Sequence, residues 1–311
     1  MEYRVIGFVF WKCTVEIKRS NDMKNGIKVL MSVFAALFAV AALFTATGCK
    51  SKTGNCVAIA SASGSVTVSL DGGRILSWKD ANGKELFFMP EKQWSPDGDW
   101  SHGGTSICWP WFGRKGTEQS LIHGFARNRR FTLRARKTIP GGESITLGLK
   151  VLKSDNTYFP YDADLELTVS LADRLTMKLK TTNLGKEPFE IAEGFQTYFP
   201  VADYGKIVFC GVEAKEFALV DGMDKAFKRL TGDFGFKDAA SGREFKLNAS
   251  GNSGLVVWTP GTVEPANRNL AKDDCPKFIV IGPSSRPAEG AVTVKPGESH
   301  ELSYTLDLRK K

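Results

Sequence analysis

The chain has 311 residues, 42% hydrophobic and 24% charged, the balance of a folded globular protein rather than a disordered or fibrous one. Its net charge of +8 is scattered apart from Arg127, Arg129 and Arg130, which argues against a nucleic-acid partner. The count of 31 Gly and 21 Phe suits many turns and aromatic-filled sheet faces, and one large β domain of about 250 residues fits the length better than two average domains.

Residues 1–22 match no address signal and read as an upstream extension before a true start at Met23. Residues 23–48 read as a signal peptide, with Lys24 and Lys28 ahead of an apolar run from Val29 to Phe44. Thr45-Ala46-Thr47-Gly48-Cys49 resembles a bacterial lipobox, with Ala46 where leucine is preferred, so Cys49 is the candidate lipidation site. The alternative is a single transmembrane anchor, because the run is near the lower limit of roughly 17 residues for spanning a bilayer. Residues 49–62 are expected to hold the linker, richest in Lys, Ser and Gly near Ser51 to Asn55, with the β domain starting at about residue 56. An exported protein held to a membrane by a lipid, facing the periplasm or the cell surface, is the expectation. Disulfides are allowed there, so Cys56, Cys108, Cys210 and Cys275 are either paired or buried thiols. No C-x-x-C or Cys/His cluster is present, and no metal is expected.

From residue 63 to 311 the hydrophobic period is two. Ala163, Leu165, Leu167, Val169 and Leu171 alternate with Asp164, Glu166, Thr168 and Ser170, and Leu175, Met177 and Leu179 alternate with Thr176, Lys178 and Lys180. Each run predicts a strand with one wet and one buried face. Asp71-Gly72-Gly73, Asn82-Gly83, Asn183-Leu184-Gly185 and Lys295-Pro296-Gly297-Glu298 mark turns between strands. The expected fold is all-β, a single large antiparallel β-sandwich.

One polar residue interrupts the aromatic stretch from Ala192 to Pro200. Gln196, beside Phe195, Tyr198 and Phe199, can donate and accept hydrogen bonds but has no titratable proton near neutral pH. From composition alone it reads most simply as a satisfied core amide, with a ligand contact or the replacement of a proton-transferring group as the alternatives. Glu193, three residues earlier, faces the opposite side of an unbulged strand and is a poor partner for it.

The densest motifs are Gly103-Gly104-Thr105-Ser106-Ile107-Cys108-Trp109-Pro110-Trp111-Phe112-Gly113 and His123-Gly124-Phe125-Ala126-Arg127. They resemble signatures of the hexose-6-phosphate mutarotases, a branch of the aldose 1-epimerase superfamily. The resemblance continues through Thr197-Tyr198-Phe199 with Asp203 behind it, Gly211-Val212-Glu213, Val256-Val257-Trp258-Thr259-Pro260 and Lys295 to His300. It implies a galactose mutarotase-like supersandwich with a sugar-binding cleft on one sheet. It also implies interconversion of the α and β anomers of an aldose without cofactor or metal. In that chemistry a histidine protonates the ring oxygen while a glutamate takes the proton of the anomeric hydroxyl, each such group giving roughly 10²- to 10⁴-fold in rate.

Three departures from the pattern bear on activity. Gln196 stands where the family histidine precedes Thr-Tyr-Phe, Gly282 stands in the place of the glutamate, and His102 replaces an arginine that grips the sugar phosphate. His123 and Arg127 are retained. The resemblance therefore implies sugar contacts from His123, Gln196, His102 and Arg127 and leaves no assigned catalytic residue. Each has a blander reading: His123 as a loop-bonding residue, Arg127 in a structural ion pair, His102 as an exposed turn residue. Trp109 and Trp111 are expected to pack, Arg129 and Arg130 to be solvated, and His300 to lie at the surface. The expected function is carbohydrate binding, a hexose for instance, with little or no anomer interconversion. The alternatives are an active epimerase using His123 with Glu289, and a non-catalytic structural lipoprotein. The sequence leaves the sugar and the oligomeric state open.

Overall fold

The computed structural model describes residues 55–90, 102–115, 122–212, 215–218, 221–228, 234–261, 270–286 and 290–309. Residues 1–48, Cys49 and Glu289 lie outside them. In chain order the strands are β1 (Cys56–Ser61), β2 (Gly64–Ser69), β3 (Ile75–Asp80), β4 (Thr105–Cys108), β5 (Thr132–Ile139), β6 (Gly142–Val151), β7 (Ala163–Leu171), β8 (Leu175–Asn183), β9 (Phe189–Ile191) and β10 (Gly194–Pro200). They continue with β11 (Ile207–Val212), β12 (Lys215–Ala218), β13 (Asp224–Lys228), β14 (Phe234–Asp238), β15 (Arg243–Ser250), β16 (Gly254–Trp258), β17 (Phe278–Ser284), β18 (Val292–Val294) and β19 (Ser299–Arg309).

Two large antiparallel sheets hold nearly all of them. The first has the order β1-β2-β3-β4-β10-β17-β16-β13, the second β12-β11-β14-β15-β19-β8-β7-β6-β5, and β18 pairs with β9 as a small third sheet. The predicted alternation is realised residue by residue in β7, where Ala163, Leu165, Leu167, Val169 and Leu171 are fully buried and their neighbours are half-exposed. Strand β8 repeats the pattern and pairs with β7 from Leu171↔Leu175 to Ala163↔Asn183.

Strand β1 starts at Cys56 and pairs with β2 along its whole length, from Cys56↔Ser69 to Ser61↔Gly64. This places Cys56–Ser61 in the first sheet, in line with a β domain that starts at about residue 56 after a linker near Ser51 to Asn55. Ala58, Ala60 and Ser61 carry too little apolar surface to make this strand's alternation more than faint in the sequence.

Between the sheets lies one continuous core. Val66, Val68, Ile75, Ile107, Phe195, Phe199, Ile279 and Ile281 of the first sheet meet Leu147, Leu165, Leu167, Leu179, Leu302 and Leu306 of the second. The first sheet also carries an apolar cluster on its outer face, formed by Phe88, Tyr198, Val256, Trp258, Phe278 and Val280 with Phe112 against it. Strands β10, β16 and β17 thus bury side chains on both faces, which is why their sequences read as nearly continuous apolar runs. In β10 the period of two sends Phe195, Thr197 and Phe199 to the core and Gln196 and Tyr198 to the outer face.

Phe199 anchors the aromatic part of the core, with ring centroids 4.9 Å from Phe245, 5.2 Å from Phe236 and 6.1 Å from Phe87. Truncating a buried phenylalanine removes its transfer free energy and leaves a cavity, together about 3–5 kcal/mol. Phe199→Ala is expected to lower unfolding stability by that amount in urea titration, with the denaturant slope unchanged.

Candidate functional site

The outer face of β10 is bordered by β4 on one side and β17 on the other. Gln196 lies opposite Ser106 of β4, and Gly194 opposite Cys108. Gln196 is half-buried, between the buried Phe195 and Thr197.

Above this strand two described segments, residues 109–115 and 122–124, run side by side and form a strap. The Trp109-Pro110 peptide is cis. Trp109 N–H donates to the His123 carbonyl at 3.3 Å, and the Trp109 carbonyl accepts from Phe125 N–H at 3.0 Å and Ala126 N–H at 3.2 Å. Gly124 has φ +75°, and a Cβ there would stand 1.9 Å from the Trp109 carbonyl oxygen, so only glycine permits this approach. His123 itself has φ +62°, a left-handed conformation uncommon for a side-chain-bearing residue. It is held there by a reciprocal pair: His123 N–H donates to the Gly113 carbonyl at 2.7 Å, and Gly113 N–H donates to His123 Nδ1 at 3.0 Å.

That second bond fixes the tautomer. With Nδ1 accepting, the neutral ring carries its hydrogen on Nε2. Nε2 faces the Gln196 side-chain amide at 3.4 Å, and Phe112 packs edge-on against the ring with centroids 4.9 Å apart. The amide atom at that distance is Gln196 Nε2; because two N–H groups do not bond each other, the amide is assigned the flipped orientation, with its oxygen toward His123 Nε2 and its NH₂ turned outward. The pair offers hydrogen-bond donors to a ligand oxygen. Protonating the ring would require displacing the Gly113 N–H from Nδ1, which is committed to that hydrogen bond.

Two arginines border the same face. Arg74 is only 5% exposed and donates from Nη1 to the His102 carbonyl at 3.3 Å and from Nη2 to Ser106 Oγ at 3.0 Å. Arg127 sits in a 3₁₀ turn, Ala126–Asn128, with its Nε buried and without a hydrogen-bond partner. Burial pushes the Cys108 thiol up to about 12, against the opposing pull of Arg127 and then Arg74. Both guanidinium groups therefore act on the β4 end of the site. Among the described residues no carboxylate pairs with Arg127, so the structural ion pair weighed for it is not formed there.

His102 reaches the outer face rather than standing exposed in a turn. Its Nδ1 lies 3.1 Å from the Tyr198 hydroxyl, and the two rings meet edge-on at 5.9 Å. Tyr198 is two residues along β10 from Gln196, so the structure gathers His123, Gln196 and His102 along one strand face. Trp109 and Trp111 pack, at 0% and 6% exposure. Arg130 pairs at the surface with Asp71 at 3.3 Å. His300 departs from its expected place at the surface. It heads β19, the period of two turns its side chain inward, and Nε2 lies 3.2 Å from Glu193 Oε1. Glu193 is fully buried on the core side, opposite Gln196, as the strand period requires.

Arg74 was missed in the sequence. Its signal was an arginine leading the apolar stretch Ile75-Leu76, directly after the Gly72-Gly73 turn, where a buried strand begins.

Residues 55–221 match the family model described as Aldose 1-epimerase. The chain belongs to the aldose 1-epimerase family. It is 25% identical over 259 residues to a protein of Escherichia coli named "Putative glucose-6-phosphate 1-epimerase", covering 78% of this chain and 86% of that one. A protein of the same name from Cenchrus ciliaris is 27% identical over 258 residues, covering 74% and 77%. In fold, the chain is similar to the crystal structure of "a putative mutarotase" from Salmonella typhimurium, with TM-score 0.71 and 19% identity over 88% of this chain and all of that one. It is likewise similar to a galactose mutarotase-like protein from Clostridium acetobutylicum, with TM-score 0.66 and 16% identity over 82% and 95%.

In this aldose 1-epimerase family member, Gly282 is more than a missing side chain. It lies on β17 beside β10, and a Cβ built there would stand 1.7 Å from the Phe195 carbonyl oxygen and 2.6 Å from its carbon. The β10–β17 ladder pairs Gly194 with Ser284 and resumes at Thr197↔Ile281, so the backbones close up at this point. Gly282→Glu is expected to destabilise the fold by about 1–3 kcal/mol, the range of an overpacked core, and to restore no proton transfer. The check is a thermal melt beside polarimetry of the variant.

Proposed function

We propose that this protein is a carbohydrate-binding member of the aldose 1-epimerase family in which proton transfer has been given up, exported and held to a membrane by a lipid on Cys49. The observation that carries the reading is the His123–Gln196 pair. An imidazole whose Nδ1 is occupied faces an amide with no titratable proton. Gly282, at the position where the motif resemblance places a carboxylate base, has no room for one. What the site retains is a set of donors that suits hydroxyl-rich ligands: the outward amide of Gln196, the guanidinium of Arg127 and the His102–Tyr198 pair. The related proteins named for glucose 6-phosphate support a hexose as the ligand class. The substitution of His102 for the family arginine supports an unphosphorylated one.

Calorimetry with D-glucose and D-galactose, beside polarimetry of freshly dissolved α-anomers, tests the reading. Saturable binding is expected, weakened about two- to tenfold by His123→Ala, the range of one neutral hydrogen bond of about 0.5–1.5 kcal/mol. Mutarotation is expected to run at the buffer rate. Acceleration abolished by His123→Ala would instead establish an active epimerase with rearranged groups. For the anchor, cells given a labelled fatty acid are expected to mark the wild-type chain and not Cys49→Ala.

A further inference from the structure

Behind the site lies a charged pair with no part in the sugar contacts proposed above. Glu193 is 0% exposed and sits at the head of β10. Its Oε2 accepts from Thr181 Oγ1 at 3.2 Å, and Thr181 Oγ1 accepts from the Trp109 indole N–H at 2.9 Å. Its Oε1 lies 3.2 Å from His300 Nε2 in an ionic contact not aligned as a hydrogen bond. A bare Nε2 would set its lone pair against a carboxylate oxygen, so one proton stays between the two groups.

Both backbone elements of the site converge on this carboxylate. Trp109, which holds the His123 carbonyl through its own N–H, is tied to Glu193 through Thr181. Ala192 N–H donates to the Pro110 carbonyl at 2.9 Å, and the Glu193 carbonyl accepts from Ser285 N–H at 2.8 Å. Gln196 follows three residues later on the same strand. We propose that Glu193 is a positioning residue: through Thr181 and Trp109 it sets the strap that carries His123, and from the head of β10 it sets Gln196, with His300 retaining the proton that keeps it in place. The proposal rests on the reading of His123 and Gln196 as sugar contacts.

It carries a pH dependence of definite sign. Burial raises the Glu193 carboxyl, and the adjacent Glu193 carboxylate raises His300. Taken one residue at a time these disagree over which group is charged, but both say that the pair holds its proton more tightly than either group alone. Glu301 adds to the rise at His300 and is itself paired with Lys178 at 2.9 Å. A raised value means that the stabilisation is fully present below the ordinary histidine range and lost as pH rises through the shifted value. Above it, Glu193 is left as a buried anion without a counter-charge, and the Thr181 hydroxyl and the indole that follow it lose their fixed acceptor.

The test needs no sugar. In ¹H–¹⁵N spectra of the full chain between about pH 6 and about pH 10, spanning the ordinary histidine range, the Trp109 indole N–H and the Gly113 amide that bonds His123 Nδ1 are read together. Both are expected to shift with a common midpoint above the ordinary histidine value. His300→Gln is expected to abolish that shared shift, and Thr181→Val to abolish it at Gly113. A Gly113 amide that ignores pH, or a shared shift that survives His300→Gln, would overturn the proposal. If His300→Gln does not fold, Glu193→Gln, which keeps an acceptor for Thr181, serves in its place with the same expected loss and the same overturning result. Failure here leaves the calorimetric test of sugar binding standing, and failure of that test leaves this result standing.

Discussion

Trp109 is the joint on which the site depends. Its side chain is wholly buried between the rings of Phe125 and Phe159, with centroids 5.6 and 5.1 Å away, and its indole N–H is held by Thr181 on the opposite sheet. A buried indole donor without an acceptor costs about 1–3 kcal/mol, so the residue is pinned in orientation as well as in depth. Its peptide groups then dictate the path of the strap, accepting two N–H donors and supplying one to His123. A left-handed histidine persists only where its surroundings over-determine it. Here the Trp109 and Gly113 hydrogen bonds and the Phe112 ring supply that constraint. The core and the site are therefore one mechanical unit: the side chain that fills the interior aims the imidazole outside.

The fold was legible because hydrophobic alternation is local. Ala163 to Leu171 and Leu175 to Leu179 announce their buried faces residue by residue, and the same period of two places Gln196 and Glu193 on opposite sides of β10 without any structure. Strand β1 shows its alternation only faintly, because alanine and serine give a weak signal even when a strand pairs fully. His300 was misplaced for a different reason. A Pro-Gly turn nearby suggested the surface, while its real environment is set by Glu193, 107 positions away in the chain. Arg74 and its contacts to His102 and Ser106 were hidden likewise, since β3 meets β4 only through the fold. Motif resemblance located the site; long-range pairing decides its electrostatics.

Those electrostatics differ between the two sides of the first sheet. On the core side, Glu193 and His300 form a compensated pair, the arrangement a low-dielectric interior demands. On the outer side, Arg74 and Arg127 bring positive charge to bear on Cys108, which nevertheless stays a protonated thiol at neutral pH because burial outweighs both guanidinium groups. The thiol thus supplies no anion to neutralise them, and among the described residues Arg127 Nε has no hydrogen-bond partner. Ligand oxygens are the natural complement of such a surface, and neutral hydroxyls meet it without the desolvation cost of a second charge.

The substitutions at 196 and 282 are not equivalent losses. Replacing a histidine by glutamine exchanges one planar polar side chain for another, and the backbone of β10 need not notice. Glycine at 282 lets β17 move in until its Cα faces the Phe195 carbonyl closer than any side-chain-bearing residue allows. Val280 and Ile281, just before it, are locked into the outer cluster and the core respectively. Restoring a carboxylate would have to push β17 away from β10 and disturb both. The side chain at 196 can be exchanged in place, whereas glycine at 282 has become part of the packing, so the close approach of β17 to β10 leaves no room for a larger side chain at that position.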